Sequence, residues 1–364
     1  MGLSVGIVGL PNVGKSTIFN ALCAGGAERA NYPFCTIEPN VGIVPVHDLR
    51  LVDLARMASS RETIFTDLRI VDIAGLVRGA SQGEGLGNQF LANIRETDAI
   101  LHVVRCFDDP NVVHVEGSVD PARDIEVIET ELLLSDLDAM TRRLDKSVKL
   151  ARGGQKDALN LVLLLEKGIA AADRGTPLRA AAWSEEERSF LPTLNLITAK
   201  PVLYVANVPE DDLHGRSEPV EVVRGLSAEK GGEVVVISGQ IEAEIAGLPP
   251  AERDDFLHEM GLEEPGLNVL VRAAYHLLGL ETFFTVGPKE ARAWTIQRGT
   301  KAPRAAGQIH SDFERGFIRA ETIAFDQLLS CGSEQAARAA GRMRSEGRDY
   351  VVRDGDVILF RFNV

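Results

Sequence analysis

Cysteine is scarce: Cys23, Cys35, Cys106 and Cys331 are the only four in 364 residues. They form no Cys-x-x-Cys pair and no Cys/His spacing of a metal site, so reduced thiols are expected. Long apolar runs are also missing. The longest candidate, Leu159 to Leu165, stops at Glu166-Lys167, well short of the ~18 residues a membrane helix needs. The chain enters a strand-like segment at once, without the basic, apolar and small-residue succession of a signal peptide. These absences set the expectation of a cytoplasmic protein with no membrane partner. An excess of positive charge is lacking too: a net charge of −14 argues against wholesale wrapping of nucleic acid. Residues 281–364 differ, with 13 Lys+Arg against 11 Asp+Glu, which makes this the segment able to approach RNA. No internal repeat or low-complexity stretch occurs, and the length favours two or three domains.

What is present begins at Gly9. Residues Gly9 to Ser16 read Gly-Leu-Pro-Asn-Val-Gly-Lys-Ser, between the apolar run Leu3 to Val8 and the helix-like Thr17 to Leu22. Strand, glycine loop and helix are the context in which a Gly-x4-Gly-Lys-Ser pattern binds phosphate. Backbone N–H groups of Asn12, Val13, Gly14, Lys15, Ser16 and Thr17 are the expected cradle, at the positive end of a helix dipole. Lys15 would bridge β- and γ-phosphates and serve catalysis, and the Ser16 hydroxyl would reach Mg2+.

Asp72-Ile73-Ala74-Gly75 follows the strand-like Leu68 to Val71. In a phosphate-loop nucleotidase an Asp here holds Mg2+ through water, and the glycine gives its N–H to the γ-phosphate. Asp72 and Gly75 are therefore expected in those roles. Between the two motifs, the proline-bounded segment Asn31 to Asn40 contains Thr36, the candidate hydroxyl for a switch that senses Mg2+ and γ-phosphate together. Gly75, Gly79, Gly83, Gly85 and Gly87 make a second segment able to reorganise at small steric cost.

Short apolar runs at Val5 to Val8, Asp67 to Asp72, Ala99 to Val104, Val202 to Ala206 and Val234 to Ile237 alternate with helical patterns. The fold class expected is α/β, a doubly wound, mostly parallel sheet. Apolar residues from Ile125 to Ala151 recur at three- and four-residue spacing, pause at Gly153-Gly154 and resume at Leu159, which predicts an inserted α-helical hairpin over 124–198 within a nucleotide domain of 1–280. Ser184 to Glu187 has the spacing of a capping box. Past Leu280, Thr282 to Val286 and Arg292 to Ile296 read as a β-hairpin, followed by a helix near Ile323 to Leu329 and strands at Tyr350 to Arg353 and Asp356 to Phe362. A small β-rich domain of 281–364 is the result.

Base recognition rests on Asn207-Val208-Pro209-Glu210. Guanine readers place Asn-Lys-x-Asp here, the Asp accepting from the guanine N1–H and 2-amino group. Val208 and Glu210 remove the lysine stem and lengthen the carboxylate, whereas adenine has neither donor and forfeits little. Asn207 and the Val208 backbone are the groups left to meet an adenine edge. Together with Asn31 to Asn40, Asp72 to Val77, Arg105-Cys106-Phe107 and Phe283 to Glu290, these motifs make the chain resemble the YchF or Obg-like ATPase family over practically its whole length. The resemblance implies a P-loop nucleotidase with a helical insertion and a C-terminal ubiquitin-like (β-grasp) TGS domain. It further implies ATP preferred over GTP, slow hydrolysis, and association with ribosomes, at the large subunit or the 70S particle, with rRNA contact through the TGS and helical domains.

Leu76 stands where many GTPase relatives carry a water-orienting Gln. Three substitutes are expected: K+ held by Asn12 against the phosphates, a side chain such as His114, on a polar loop after the third core strand, or a partner. Cys35, beside Thr36, offers a redox reading that an inert thiol also satisfies. Three functional classes remain open on sequence: an ATP switch or its GTP-preferring counterpart, a small-molecule kinase, and a scaffold that nucleotide merely stabilises.

Overall fold

The computed structural model describes residues 3–27, 41–73, 75, 79, 86–153 and 156–363. Thr36, Cys35 and Leu76 lie outside the described residues, as does most of the second glycine-rich segment. The chain divides into two compact units, one of 1–44 and 69–274 and the other of 45–68 and 275–364.

The first unit is built on a six-stranded sheet. Its strands are β1 (Ser4–Val8), β2 (Val41–Val46), β4 (Thr66–Asp72), β5 (Ala99–Arg105), β6 (Val202–Asn207) and β7 (Glu233–Ile237), where β3 (Glu62–Ile64) belongs to another sheet. They run in the spatial order β2-β4-β1-β5-β6-β7. β1 pairs in parallel with β4 and β5, and β5-β6 and β6-β7 are parallel as well. Every residue of β1, β5 and β6 is buried, which explains why these strands read as unbroken apolar runs. Their carboxyl ends bring Gly9, Asp72, Arg105 and Asn207 to one edge of the sheet, where ligands of parallel α/β sheets bind.

The helical insertion lies between β5 and β6. Helices Pro121–Arg152 and Lys156–Ala172 pack around Leu133, Met140, Leu164 and Leu165, with Trp183, Leu191 and Leu194 closing the same core. The capping box forms as its spacing predicts: Ser184 Oγ accepts from Glu187 N at 3.2 Å and Ser184 N donates to the Glu187 carboxylate at 2.7 Å. That helix stops at Leu194, because Asn195 turns into the left-handed region at φ 51°.

A buried polar group joins the insertion to the sheet. Arg179 and the Tyr204 hydroxyl both donate to Glu129, and the His102 ring lies tilted against that of Tyr204, centroids 5.3 Å apart. Burial lowers the His102 imidazole to about 4, against the opposing pull of the Glu129 carboxylate. The unfolded chain protonates first as pH falls, so stability held above about pH 6.5 is lost progressively down to about 4, by on the order of 3 kcal/mol. His102→Gln is expected to flatten that acid slope in urea titrations at pH 7, 5.5 and 4.5. An unchanged slope would remove His102 as its source.

The second unit carries a mixed sheet ordered β11-β10-β12-β8-β9-β3, from β8 (Leu280–Val286), β9 (Glu290–Gln297), β10 (Phe317–Ala324), β11 (Arg344–Glu346), β12 (Asp356–Phe362) and β3. β8 and β9 form the expected hairpin, and β12 lies parallel to β8 at the centre of the sheet. Within residues 280–362, first strand β8 and last strand β12 lying side by side and parallel, with helix Ala302–Ile309 packed on the sheet, is the ubiquitin-like arrangement. Two local expectations are corrected. Ile323 lies within β10, wholly buried in the sheet core; the strand ends at Ala324 and the helix begins at Phe325. Tyr350 to Arg353 makes only a single bridge, Lys301 to Val351, and is not a strand.

The unit boundaries also differ from a division at 280/281. Residues 45–68 join the second unit: β3 pairs in parallel with β9, and helix Leu49–Ala58 buries Leu51, Leu54 and Ala55 against Phe284, Ala293 and Ile323. Asp48 caps this helix by accepting from Arg50 N at 3.0 Å.

Candidate nucleotide-binding site

The phosphate loop turns on two left-handed positions, Asn12 at φ 63° and Gly14 at φ 96°. Asn tolerates that region and glycine occupies it freely, so the sequence permits the curl that aims successive N–H groups inward. Helix Lys15–Ala27 follows at once. A cleft of about 840 Å³ opens above it, with Leu10, Asn12 and Gly14 to Thr17 along its floor. Phe107 to Pro110 and Val112 form one wall, and Asn207 to Glu210 with Gly239, Gln240, Ala243 and Glu244 form the other. The volume suits a nucleotide.

Lys15 Nζ stands 3.6 Å from Asp72 Oδ1. That same buried carboxylate oxygen accepts no hydrogen bond, while the Ser16 side of the helix terminus is exposed. An unbonded acid oxygen and a solvent-facing hydroxyl are the kinds of oxygen donor Mg2+ prefers. The Lys15 pairing places Asp72 at the start of the helix that also carries Ser16. Gly75 is exposed, and a Cβ there would lie 3.4 Å from Pro11, so this residue sits close against the phosphate loop.

Asn207 has a different place from the one its motif suggests. Its amide is 3% exposed, donates through Nδ2 to Val13 O at 2.9 Å and accepts through Oδ1 from Gly239 N at 2.9 Å. It thereby ties the phosphate loop to the loop after β7. A Cβ built at Gly14 would overlap the Asn207 Nδ2, so only glycine lets this tie approach the phosphate cradle. Val208 spends its N–H on Ile237 O at 2.9 Å, so of the Val208 backbone the carbonyl is the group left for a base. Asp212, the acid nearest in sequence beyond Glu210 and Asp211, is occupied in capping Arg216 N and Ser217 N.

His114 is not part of the cleft wall. It is buried, its Nε2 lies 2.8 Å from Asp124 Oδ2, and its Nδ1 accepts from Glu116 N at 3.2 Å. The accepting Nδ1 assigns the proton to Nε2, which donates to Asp124. Both ring nitrogens are spent, so water positioning by His114 requires the loop to release Asp124 first. Asn12 reaches the same loop, donating from Nδ2 to Val113 O at 3.2 Å. Its Oδ1 remains as the atom for a cation.

Arg105 escaped the sequence reading except as part of a family motif. It is 1% exposed and donates to the carbonyls of Phe107, Asp109 and Val112. A buried arginine at the end of a core strand, two residues before the cleft wall, was the available signal. Next to it, burial pushes the Cys106 thiol up to about 12, so it stays protonated and inert. Farther along, Gly79 N donates to Glu131 of the long helix at 2.6 Å, bringing this glycine against the insertion.

Comparison with known proteins agrees with this geometry. A family model named MMR_HSR1, described as "50S ribosome-binding GTPase", matches residues 4–138, and YchF-GTPase_C, described as "Protein of unknown function", matches residues 280–363. "Ribosome-binding ATPase YchF" of Escherichia coli O157:H7 is 54% identical over 364 residues, covering 100% of both chains. The protein of the same name from Bacillus subtilis (strain 168) is 52% identical over 366 residues, again covering 100% of both. The solved structure of the Schizosaccharomyces pombe YchF GTPase superposes with a TM-score of 0.88 at 36% identity, over 99% of this chain and 97% of that one. Identity above one half across full-length relatives, on a chain with this phosphate loop and this two-sheet fold, means that it belongs to the YchF family of P-loop nucleotidases.

Proposed function

We propose that the protein binds ATP in the cleft above Gly9 to Ser16, hydrolyses it slowly, and acts in the cytoplasm as a nucleotide-gated switch on the ribosome. The observation that carries the choice of base is the cleft end at Val208 and Glu210, where no lysine stem and no aspartate stand ready for guanine. The Val208 carbonyl suits the adenine amino group, a donor that guanine lacks at that position. The names of the full-length relatives, ribosome-binding ATPases, support both halves of the reading.

Mg2+ would be held by Ser16, by Asp72 through water, and by Thr36, and when bound it neutralises charge between β- and γ-phosphates. Lys15 would exchange its pairing with Asp72 for the phosphates. K+ is the proposed second cation, at the free Oδ1 of Asn12. His114 would orient water only in a state where Asp124 has let it go. The second unit supplies a basic face for rRNA on the large subunit or 70S particle: Arg319 and Arg361 are directly opposed on β10 and β12, and with Arg338 they converge on Glu321. Like charges facing each other across strands cost stability, which a polyanion would return. Helices of the insertion are the proposed second contact. Among the described residues no helix is long and apolar enough to cross a membrane.

Calorimetric titration of nucleotide-free protein with Mg-ATP and Mg-GTP side by side tests the base. ATP is expected to bind more tightly, by at least about tenfold. Tighter GTP would establish the GTP-preferring alternative instead.

A further inference from the structure

Arg105 ends β5 opposite Asn207 of β6, inside the sheet edge that carries the cleft. Its guanidinium donates from Nε to Phe107 O at 3.0 Å, from Nη1 to Val112 O at 3.0 Å and from Nη2 to Asp109 O at 3.3 Å, and it lies 4.8 Å from the centre of the Phe107 ring. No carboxylate pairs with it among the described residues. Burying a charge against carbonyl dipoles alone is costly, and a hydrophobic side chain would fill the same space more cheaply. What only the planar fork supplies is three donors in fixed directions, and here they gather three carbonyls of one short loop.

That loop is the cleft wall of Phe107 to Val112. Its first residues belong to the end of the cleft near Val208, since Cys106 N donates to Asn207 O at 2.8 Å. Its far end has a separate tether, the bond from Asn12 Nδ2 to Val113 O. Removing the guanidinium therefore frees the base-side wall while the phosphate side stays held by Asn12 and by Lys15 with Asp72.

We propose that Arg105 is a positioning residue for the adenosine half of the nucleotide: it fixes the loop Phe107 to Val112 as a preformed wall without touching the ligand. This rests on the ATP reading above. The wall's order is then part of affinity, because a loop that must be ordered on binding subtracts its entropy from the interaction.

The test compares R105K, which keeps charge and loses the fork, and R105M, which keeps the stem, with the unaltered protein. Mg-ATP and Mg-tripolyphosphate are titrated into each, and kcat and KM are measured. Expected is ATP affinity about tenfold or more weaker, with KM rising in step, kcat within about threefold, and tripolyphosphate affinity unchanged. P110G, which loosens the same loop without touching Arg105, should give the same split and serves if the Arg105 variants do not fold. Unchanged ATP affinity in the folded variants, or parallel loss of ATP and tripolyphosphate, would overturn the proposal. Failure of the unaltered protein to bind ATP would overturn the ATP reading instead, so the two failures are distinguishable.

Discussion

Lys15→Ala is expected to lower ATP turnover by roughly 10²–10³-fold, the scale of removing one preorganised donor from developing negative charge. The ammonium is the only cation within ion-pair distance of Asp72 among the described residues, so its loss has two consequences. The phosphates lose a charge-assisted donor, and Asp72 loses its partner in the nucleotide-free protein. Lys15→Arg should recover little, because the wider guanidinium must fit between Gly14 and Asp72 where a compact ammonium now sits. Steady-state turnover with saturating Mg-ATP, alongside calorimetric affinity, measures both effects. Turnover within about threefold of the unaltered protein would show that phosphate charge is stabilised elsewhere.

Asn207→Ala should have the second-largest effect, an ATP affinity lowered by about 10²-fold. The substitution leaves the Val13 carbonyl and the Gly239 N–H buried without partners, each costing roughly 1–3 kcal/mol. Asn207→Asp is the sharper probe. It keeps the acceptor for Gly239 N but sets carboxylate oxygen against the Val13 carbonyl, so it should be no better than alanine. Gly14→Ala should also disable binding, through strain at φ 96° and overlap with the Asn207 amide. Combining Gly14→Ala with Asn207→Ala removes that overlap, so the two losses should be less than additive, a coupling a double-mutant cycle reads directly. Full additivity would mean that the amide and the phosphate loop do not support one another.

Together these variants separate two jobs that one motif conceals. Asn207 to Glu210 invites interpretation as a base-reading strip, yet its first residue spends its amide on scaffolding. On the proposed reading, base choice falls to Val208 and Glu210, with Arg105 shaping the opposite wall. Affinity for phosphate and selection of base can therefore be impaired separately.

Local pattern alone was enough for the phosphate loop, the Asp72 strand end, the parallel core strands, the helical hairpin and the capping box at Ser184. Each is encoded within a few residues, by backbone permissiveness at Gly14, by period-3.6 apolar spacing, or by a side chain bonding three positions away. The tertiary structure decided what depends on partners far along the chain. Asn207 meets Val13 across 194 positions and Gly239 across 32, so no local signal separates a tie from a base contact. His114 shows only a polar loop in sequence, and burial against Asp124 comes from the start of the long helix. Helix Leu49–Ala58 displays an apolar face without saying which sheet will cover it; pairing of β3 with β9 settles that it packs on the second. Arg105 reads as one more residue of a strand until the loop beyond it folds back and its three carbonyls converge on the guanidinium. Hydrophobic periodicity fixes which face is buried, while the identity of the opposing surface is set by long-range packing and hydrogen bonding, which no short window of sequence contains.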